Sequence, residues 1–389
     1  MNISKILLPL ATVVLTTACS SDDEVTKSPI VVGNSDVEVR LSTGGGTRAS
    51  IESNAQGLFE ANGMGIFMLA TADMEVNPDE GVLDWRPEVN PYTTWLNNVE
   101  ANAVINSDST ATDIVWADKK AKWYPVGNWY SYRFYGYYPR TNWYEIQQQR
   151  LYVTFTGLNG TQDIIWGRSE GADLSDEHEK YRYSARYFRQ KGYGEKVPSL
   201  ALEHKMLRMQ FYIQGIEDEN AEEDSKYASA NAMTIDTIMV VNMPTIARMV
   251  IANLEDDKEE GTLYPDWGTR LADIGVRGEN DGPFEKAQVN NDDLIKVGQP
   301  ILLPVLDETA ASEGITKYSV RVRLRNNTGV VFDDEKPLEL NIVSISKFEA
   351  GKTYKVVLKI AGPKQISLQA KLAGWEDAED DSIKDLEFN

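Results

Sequence analysis

The sequence predicts an all-β protein built as two β-sandwich domains in tandem. Three observations carry that prediction. Apolar residues recur at every second position in many short runs, as in Tyr318, Val320, Val322 and Leu324. Glycine, asparagine or proline separates the runs, and no comparable length shows a convincing helical period. The chain has 389 residues with 42% hydrophobic and 25% charged side chains, a globular balance long enough for two ordinary domains.

Taken in order, the chain opens with Lys5 and a ten-residue apolar stretch, residues 6–15, too short to span a bilayer as a mature helix. Leu15-Thr16-Thr17-Ala18-Cys19 resembles a bacterial lipobox, with Thr16 where leucine is usual, followed by the acidic Ser20-Ser21-Asp22-Asp23-Glu24. A plain secretory signal is the alternative. Cys19 is the one cysteine, so no disulfide is available and the core alone must hold the fold. Residues 20–34 read as a polar tether. Val37, Val39 and Leu41 then alternate with Glu38 and Arg40 as a strand with one buried face. Gly44-Gly45-Gly46 follows, an exposed backbone open to a protease, and then Arg48-Ala49. Residues 37–41 are read as a removable strand released by a cut after Arg48; a linker between anchor and domain is the competing reading.

Further strands are expected at residues 65–70, 113–116, 151–155 and 163–166, with an aromatic-dense segment over 123–144. There Tyr130, Tyr132, Phe134 and Tyr138 share one face of an extended chain, and Trp129, Arg133, Tyr135 and Tyr137 the other. Residues 175–190 are polar, a surface helix or an excursion. A long strand over 200–214 opens the second half. Runs at 233–241, 247–252, 318–324, 354–360 and 366–372 follow, and the junction is placed near residues 194–198. At the C-terminus an acidic spacer, residues 376–381, leads into residues 382–389, where Ile383, Leu386 and Phe388 form a short, imperfectly alternating strand. It either closes its own sheet or completes a neighbour's.

A net charge of −21 argues against nucleic acid and anionic membrane surfaces as partners. The acidic runs 217–224, 255–260 and 376–381 read as solvated loops and lack the spacing of a calcium loop. The two histidines, His178 and His204, form no metal cluster with a cysteine, and His204 reads as a packed or hydrogen-bonded residue. Gly63-Met64-Gly65 lacks the third glycine of a dinucleotide loop. Gly167-Arg168-Ser169-Glu170-Gly171 matches a nucleophile elbow, but the following residues are too polar for a buried crossover helix, so Ser169 is read as part of a strand-ending turn. No catalytic residue, metal site or cofactor is expected. The alternative to a structural role is a glycan-binding surface lipoprotein using Trp123, Trp129, Tyr130, Trp143 and Tyr144 as a stacking platform.

Several segments together resemble the fimbrillin family, the subunits of type V pili. The likeness rests on the lipobox with its acidic follow-up and on the arginine after the glycine run. Phe134-Tyr135-Gly136-Tyr137-Tyr138-Pro139, Asp163-Ile164-Ile165-Trp166-Gly167 and Leu202-Glu203-His204-Lys205-Met206 add to it, so that it spans nearly the whole chain. The resemblance implies two transthyretin-like β-sandwich domains behind a lipoprotein signal and propeptide: residues 1–18, 19–48, 49–196 and 197–389. It implies lipidation at Cys19, an outer-membrane precursor, and cleavage by an arginine-specific surface protease between Arg48 and Ala49. Expulsion of the strand carrying Val37, Val39 and Leu41 would then allow strand exchange in a homo- or hetero-polymer of fimbrial subunits. The donor would be residues 382–389 with Ile383, Leu386 and Phe388. A host or bacterial surface receptor is the remaining implied partner, and the presence of both arginine and donor suggests a stalk or adaptor subunit.

Overall fold

The computed structural model describes residues 33–43, 58–73, 83–109, 111–126, 130–169, 183–190, 192–291, 293–333, 338–339, 348–363 and 365–373. Cys19, Arg48, Ala49, Trp129, His178, Ile383, Leu386 and Phe388 lie outside the described residues. In the first half the strands are β1 (Asn34–Glu38), β2 (Leu41–Thr43), β3 (Ala61–Asp73), β4 (Thr94–Ile105), β5 (Thr112–Trp116), β6 (Trp123–Pro125), β7 (Tyr130–Tyr138), β8 (Tyr144–Ile146), β9 (Arg150–Thr156), β10 (Ile165–Ser169) and β11 (Ser199–His204), with the one-turn helix α1 (Ala185–Phe188) before β11. Seven of them close a hydrogen-bonded barrel in the order β10-β11-β2-β5-β4-β3-β7.

The middle of the aromatic segment becomes β7, and both of its faces are buried. Tyr132 and Phe134 fill the barrel with Val39, Leu41, Ile66 and Met68. Tyr135 and Tyr137 point outward into a second core with Leu151, Val153, Phe155, Met249 and Ile251. Gly65 on β3 makes room for this: a Cβ there would stand 2.2 Å from Tyr137 Cε1. The Tyr137 hydroxyl donates to Asn98 Oδ1 at 2.7 Å, and burial pushes that phenol up to about 12.

The second half contains β12 (Leu207–Gly215), α2 (Ala228–Asn231), β13 (Met233–Pro244), β14 (Ile246–Asn253), β15 (Leu263–Pro265), β16 (Leu271–Gly275), β17 (Ala287–Gln288), β18 (Ile295–Leu303), α3 (Glu308–Ser312), β19 (Ser319–Asn326), β20 (Val331–Asp333), β21 (Leu338–Glu339), β22 (Thr353–Gly362) and β23 (Gln365–Ala373). Sheet β18-β12-β22-β23 and sheet β16-β13-β19-β20, with β17 on β13 and β21 on β19, form a sandwich. Phe211 and Ile213 from one sheet meet Ile235, Val240, Val322 and Leu324 from the other. The all-β prediction is the architecture seen. Among the described residues no helix is long and apolar enough to cross a membrane.

The sheets divide the chain differently from the expected junction. The run 200–214 is not one strand: β11 completes the barrel against β10 and β2, whereas β12 enters the sandwich between β18 and β22. The Lys205 N–H bonds to the Ile164 carbonyl at 2.7 Å at the switch, so the changeover falls at Lys205–Met206, after the expected 196/197 boundary. A third sheet, β15-β14-β9-β8, draws strands from both halves, with β9 antiparallel to β14 from Arg150↔Asn253 to Thr156↔Ile246. It lies over the outer face of the barrel.

The acidic run 255–260 is likewise not all solvated. The Glu260 side chain is 2% exposed and ion-pairs with Arg168 and Arg133. It also accepts from the Tyr135 hydroxyl at 2.9 Å and the Asn253 N–H at 3.1 Å. Arg133 and Tyr135 stand on β7 and Arg168 on β10, so the carboxylate fastens the β14–β15 connection to the barrel.

Candidate functional site: a three-residue strand that closes the barrel

β2 is the shortest member of the barrel and stands between two strands that do not pair with each other. On one side it runs antiparallel to β5, with Leu41↔Ile114, Ser42↔Asp113 and Thr43↔Thr112. On the other it runs parallel to β11, with Ser42↔Ser199 and Thr43↔Leu200, and the Ser42 N–H donates to the Pro198 carbonyl at 3.0 Å. Neighbours in the barrel order are hydrogen-bonded, and β2 is what joins β5 to β11.

The alternation read from the sequence is present, but the backbone ladder changes partner midway. The removable segment expected as one strand is two. Val37 belongs to β1, which pairs with β6 in a separate two-stranded sheet; Leu41 belongs to β2; Val39 lies between them. The Val39 N–H bonds to the Lys122 carbonyl at 2.7 Å at the crossover. Inward burial continues across it: Val37 is half-buried, Val39 is 1% exposed, Leu41 3% and Thr43 1%. The period-two pattern therefore follows the core rather than any single ladder.

Outward side chains hold the segment from its other face. Arg40 donates to the Gly194 carbonyl at 2.9 Å. Asp36 pairs with Arg189, whose guanidinium holds the carboxyl below the usual carboxylate range by hydrogen bonding to it. Ser184 caps α1 by accepting from the Tyr187 N–H at 3.2 Å, which presents Phe188 to Tyr124 with ring centroids 5.2 Å apart. A groove of about 270 Å³ lined by Val37, Arg40, Phe188, Gly194, Lys196 and Pro198 runs beside the segment. Thr43 was legible as the next inward position after Leu41. Arg189, Gly194 and Pro198 were not, because they reach the segment only through the fold.

The other sequence candidates fall elsewhere. Ser169 is not on a turn: it is the last residue of β10, buried, and its Oγ accepts from the Phe134 N–H at 3.0 Å. His204 is buried with its Nδ1 2.8 Å from Asp163 Oδ2. Among the described residues no group of three or more His, Cys, Asp or Glu side chains is placed to hold a metal ion. Trp123, Tyr130 and Tyr144 sit on β6, β7 and β8, members of three different sheets, and Trp143 directly precedes β8. The Tyr130 hydroxyl accepts from Asn90 at 2.7 Å, and the Tyr144 ring meets Phe67 edge-on at 5.7 Å.

No family model and no curated protein matches the chain. Similar solved structures include a candidate cell adhesion protein from Bacteroides uniformis, 15% identical, with 87% of this chain and 97% of that one aligned and a TM-score of 0.47. A fimbrial protein from Bacteroides vulgatus is 9% identical over 87% of this chain and 99% of its own, also with a TM-score of 0.47. The fimbrial anchor protein Mfa2 from Porphyromonas gingivalis is 9% identical over 87% and 98%, with a TM-score of 0.33.

Proposed function

We propose that this chain is a structural subunit of a surface fimbria, and that the place held by β2 is where one subunit is joined to the next. The observation that carries the reading is that a three-residue strand bridges β5 and β11 while its side chains complete the core. Such a strand is essential to closure yet held by a short ladder. In sequence it is followed at once by Gly44-Gly45-Gly46-Thr47-Arg48, a backbone suited to proteolysis.

In this reading the precursor is lipid-anchored to the outer membrane through Cys19, and an arginine-specific surface protease cuts between Arg48 and Ala49. Loss of residues 33–43 empties the row filled by Val39, Leu41 and Thr43. Residues 382–389 of a neighbouring subunit then take that row, with Ile383, Leu386 and Phe388 supplying the apolar side chains. Three such side chains contribute on the order of 5–9 kcal/mol gross on burial, part of which is offset by ordering the tail. Reopening the groove re-exposes the core, which makes a joined subunit slow to leave. The mature fimbria is extracellular, and adhesion to a host or bacterial receptor is compatible with it.

The test is the N-terminus of the mature surface protein by mass spectrometry, combined with SDS-resistant ladders on gels. Polymer starting at Ala49 is expected from wild type. Arg48→Ala should leave a folded, unpolymerised lipoprotein, and deletion of residues 382–389 should block incorporation in one direction. Polymers that retain residues 33–43 would overturn the mechanism.

A further inference from the structure

The outer face of the sheet shared by the two halves carries a row of side chains that the assembly mechanism does not use. Its inner face packs on the barrel through Leu151, Val153, Ala247 and Met249. On the outer face one cross-strand row runs Trp143, Thr154, Arg248, Tyr264. The Thr154 N–H donates to the Trp143 carbonyl at 2.8 Å, Thr154 stands opposite Arg248, and Arg248 stands opposite Tyr264. Four strands side by side make this row about 14 Å long.

Both ends of the row are aromatic and open to solvent: Trp143 is 70% exposed and Tyr264 43%. A tryptophan left so exposed beside a sheet edge strand is more informative than an exposed leucine, because its large ring would ordinarily be covered. The centre is polar and already organised. The Arg248 guanidinium lies 3.8 Å above the Tyr152 ring centroid, and its Nη2 donates to Glu145 at 2.7 Å. Stacking fixes the plane of the guanidinium, and the carboxylate fixes its direction.

The charges in the row balance, since Arg248 is paired with Glu145. The whole chain carries −21, so polyanions are repelled at a distance. The ligand that fits has apolar C–H faces to lie on the two end rings. It also has uncharged hydroxyls that share the donors and acceptors of the Arg248–Glu145 pair. A row about 14 Å long and two residues wide covers far less than the roughly 800 Å² that each partner gives to a stable protein interface. We propose that Trp143, Thr154, Arg248 and Tyr264 form a binding platform for an uncharged oligosaccharide, independent of the strand that closes the barrel.

The full chain, immobilised, is probed with neutral glucose, mannose, galactose and N-acetylglucosamine oligomers, and with sialylated and sulfated glycans as the charged arm. At least one neutral oligomer should bind and shift the tryptophan emission. Trp143→Ala and Tyr264→Ala should each weaken binding tenfold or more, Tyr264→Phe should retain it, and Trp143→Ala should abolish the emission change. Both side chains are solvent-exposed, and circular dichroism checks that the variants remain folded. Absence of neutral binding, tighter binding of the charged arm, or wild-type affinity in both alanine variants each overturns the proposal. So does a protein ligand that competes for this face while no neutral oligomer does.

Discussion

Truncating Leu41 to alanine asks whether β2 opens separately from the rest of the molecule. Leu41 is 3% exposed within the core that includes Val39, Ile114 and Leu200. A buried leucine replaced by alanine costs about 2–5 kcal/mol. If that loss falls on a local opening of residues 33–43, the open population rises roughly 30- to several-thousand-fold. Amide hydrogen exchange reads it directly. The reporters are the Val39 N–H, bonded to the Lys122 carbonyl at 2.7 Å, and the Ser42 N–H, bonded to the Pro198 carbonyl at 3.0 Å. The references are amides of β22 inside the sandwich of the second half. The expected result is acceleration at Val39 and Ser42 with β22 unchanged. Equal acceleration everywhere would mean that the segment unfolds only with the whole protein, and the idea of a removable strand would lose its physical basis.

Glu260→Ala should lower stability by about 3–5 kcal/mol, because it removes the shared acceptor of Arg168, Arg133 and the Tyr135 hydroxyl in a largely enclosed site. A fall in the denaturant midpoint at constant slope measures this, and a change below about 1 kcal/mol would show that the cluster is not holding the β14–β15 connection. Asp236 gives a pH dependence. A hydrogen bond from Lys286, then one from Arg325, holds its carboxyl below the usual 3.8. Its contribution is therefore complete above the unfolded value and is lost as pH falls through the lower, folded one. Asp236→Asn should flatten the acid limb of the stability profile below about pH 4, where urea unfolding at several pH values would detect it. An unchanged limb would assign acid sensitivity to other carboxylates.

What the sequence made legible is what depends on neighbours along the chain. The alternation in 354–360 and 318–324 became β22 and β19 because each has one side facing the sandwich core. The alternation in 37–41 survived even where the ladder changed partner, since side-chain parity is set by the core. The run 200–214 was misread for the same reason. Its pattern is continuous, and only the distant Ile164 carbonyl, which takes the Lys205 N–H, marks where one sheet is left for another. Glu260 looked like one more surface acid because Arg168, its partner, is 92 residues away. The stacking platform expected over 123–144 joined Trp123, Tyr130, Trp143 and Tyr144, neighbours along the chain. The fold instead places Trp123, Tyr130 and Tyr144 in three sheets and sets Trp143 in a row with Thr154, Arg248 and Tyr264, the last two from the other half of the chain.

The sheet that interleaves strands from the two halves has a mechanical corollary. Besides the crossing peptide at Lys205–Met206, the antiparallel seam of β9 and β14 ties the two halves a second time, through a ladder from Arg150↔Asn253 to Thr156↔Ile246 that would share a load between them. A splice of this kind resists tension better than a hinge, and neither half owns the whole of it.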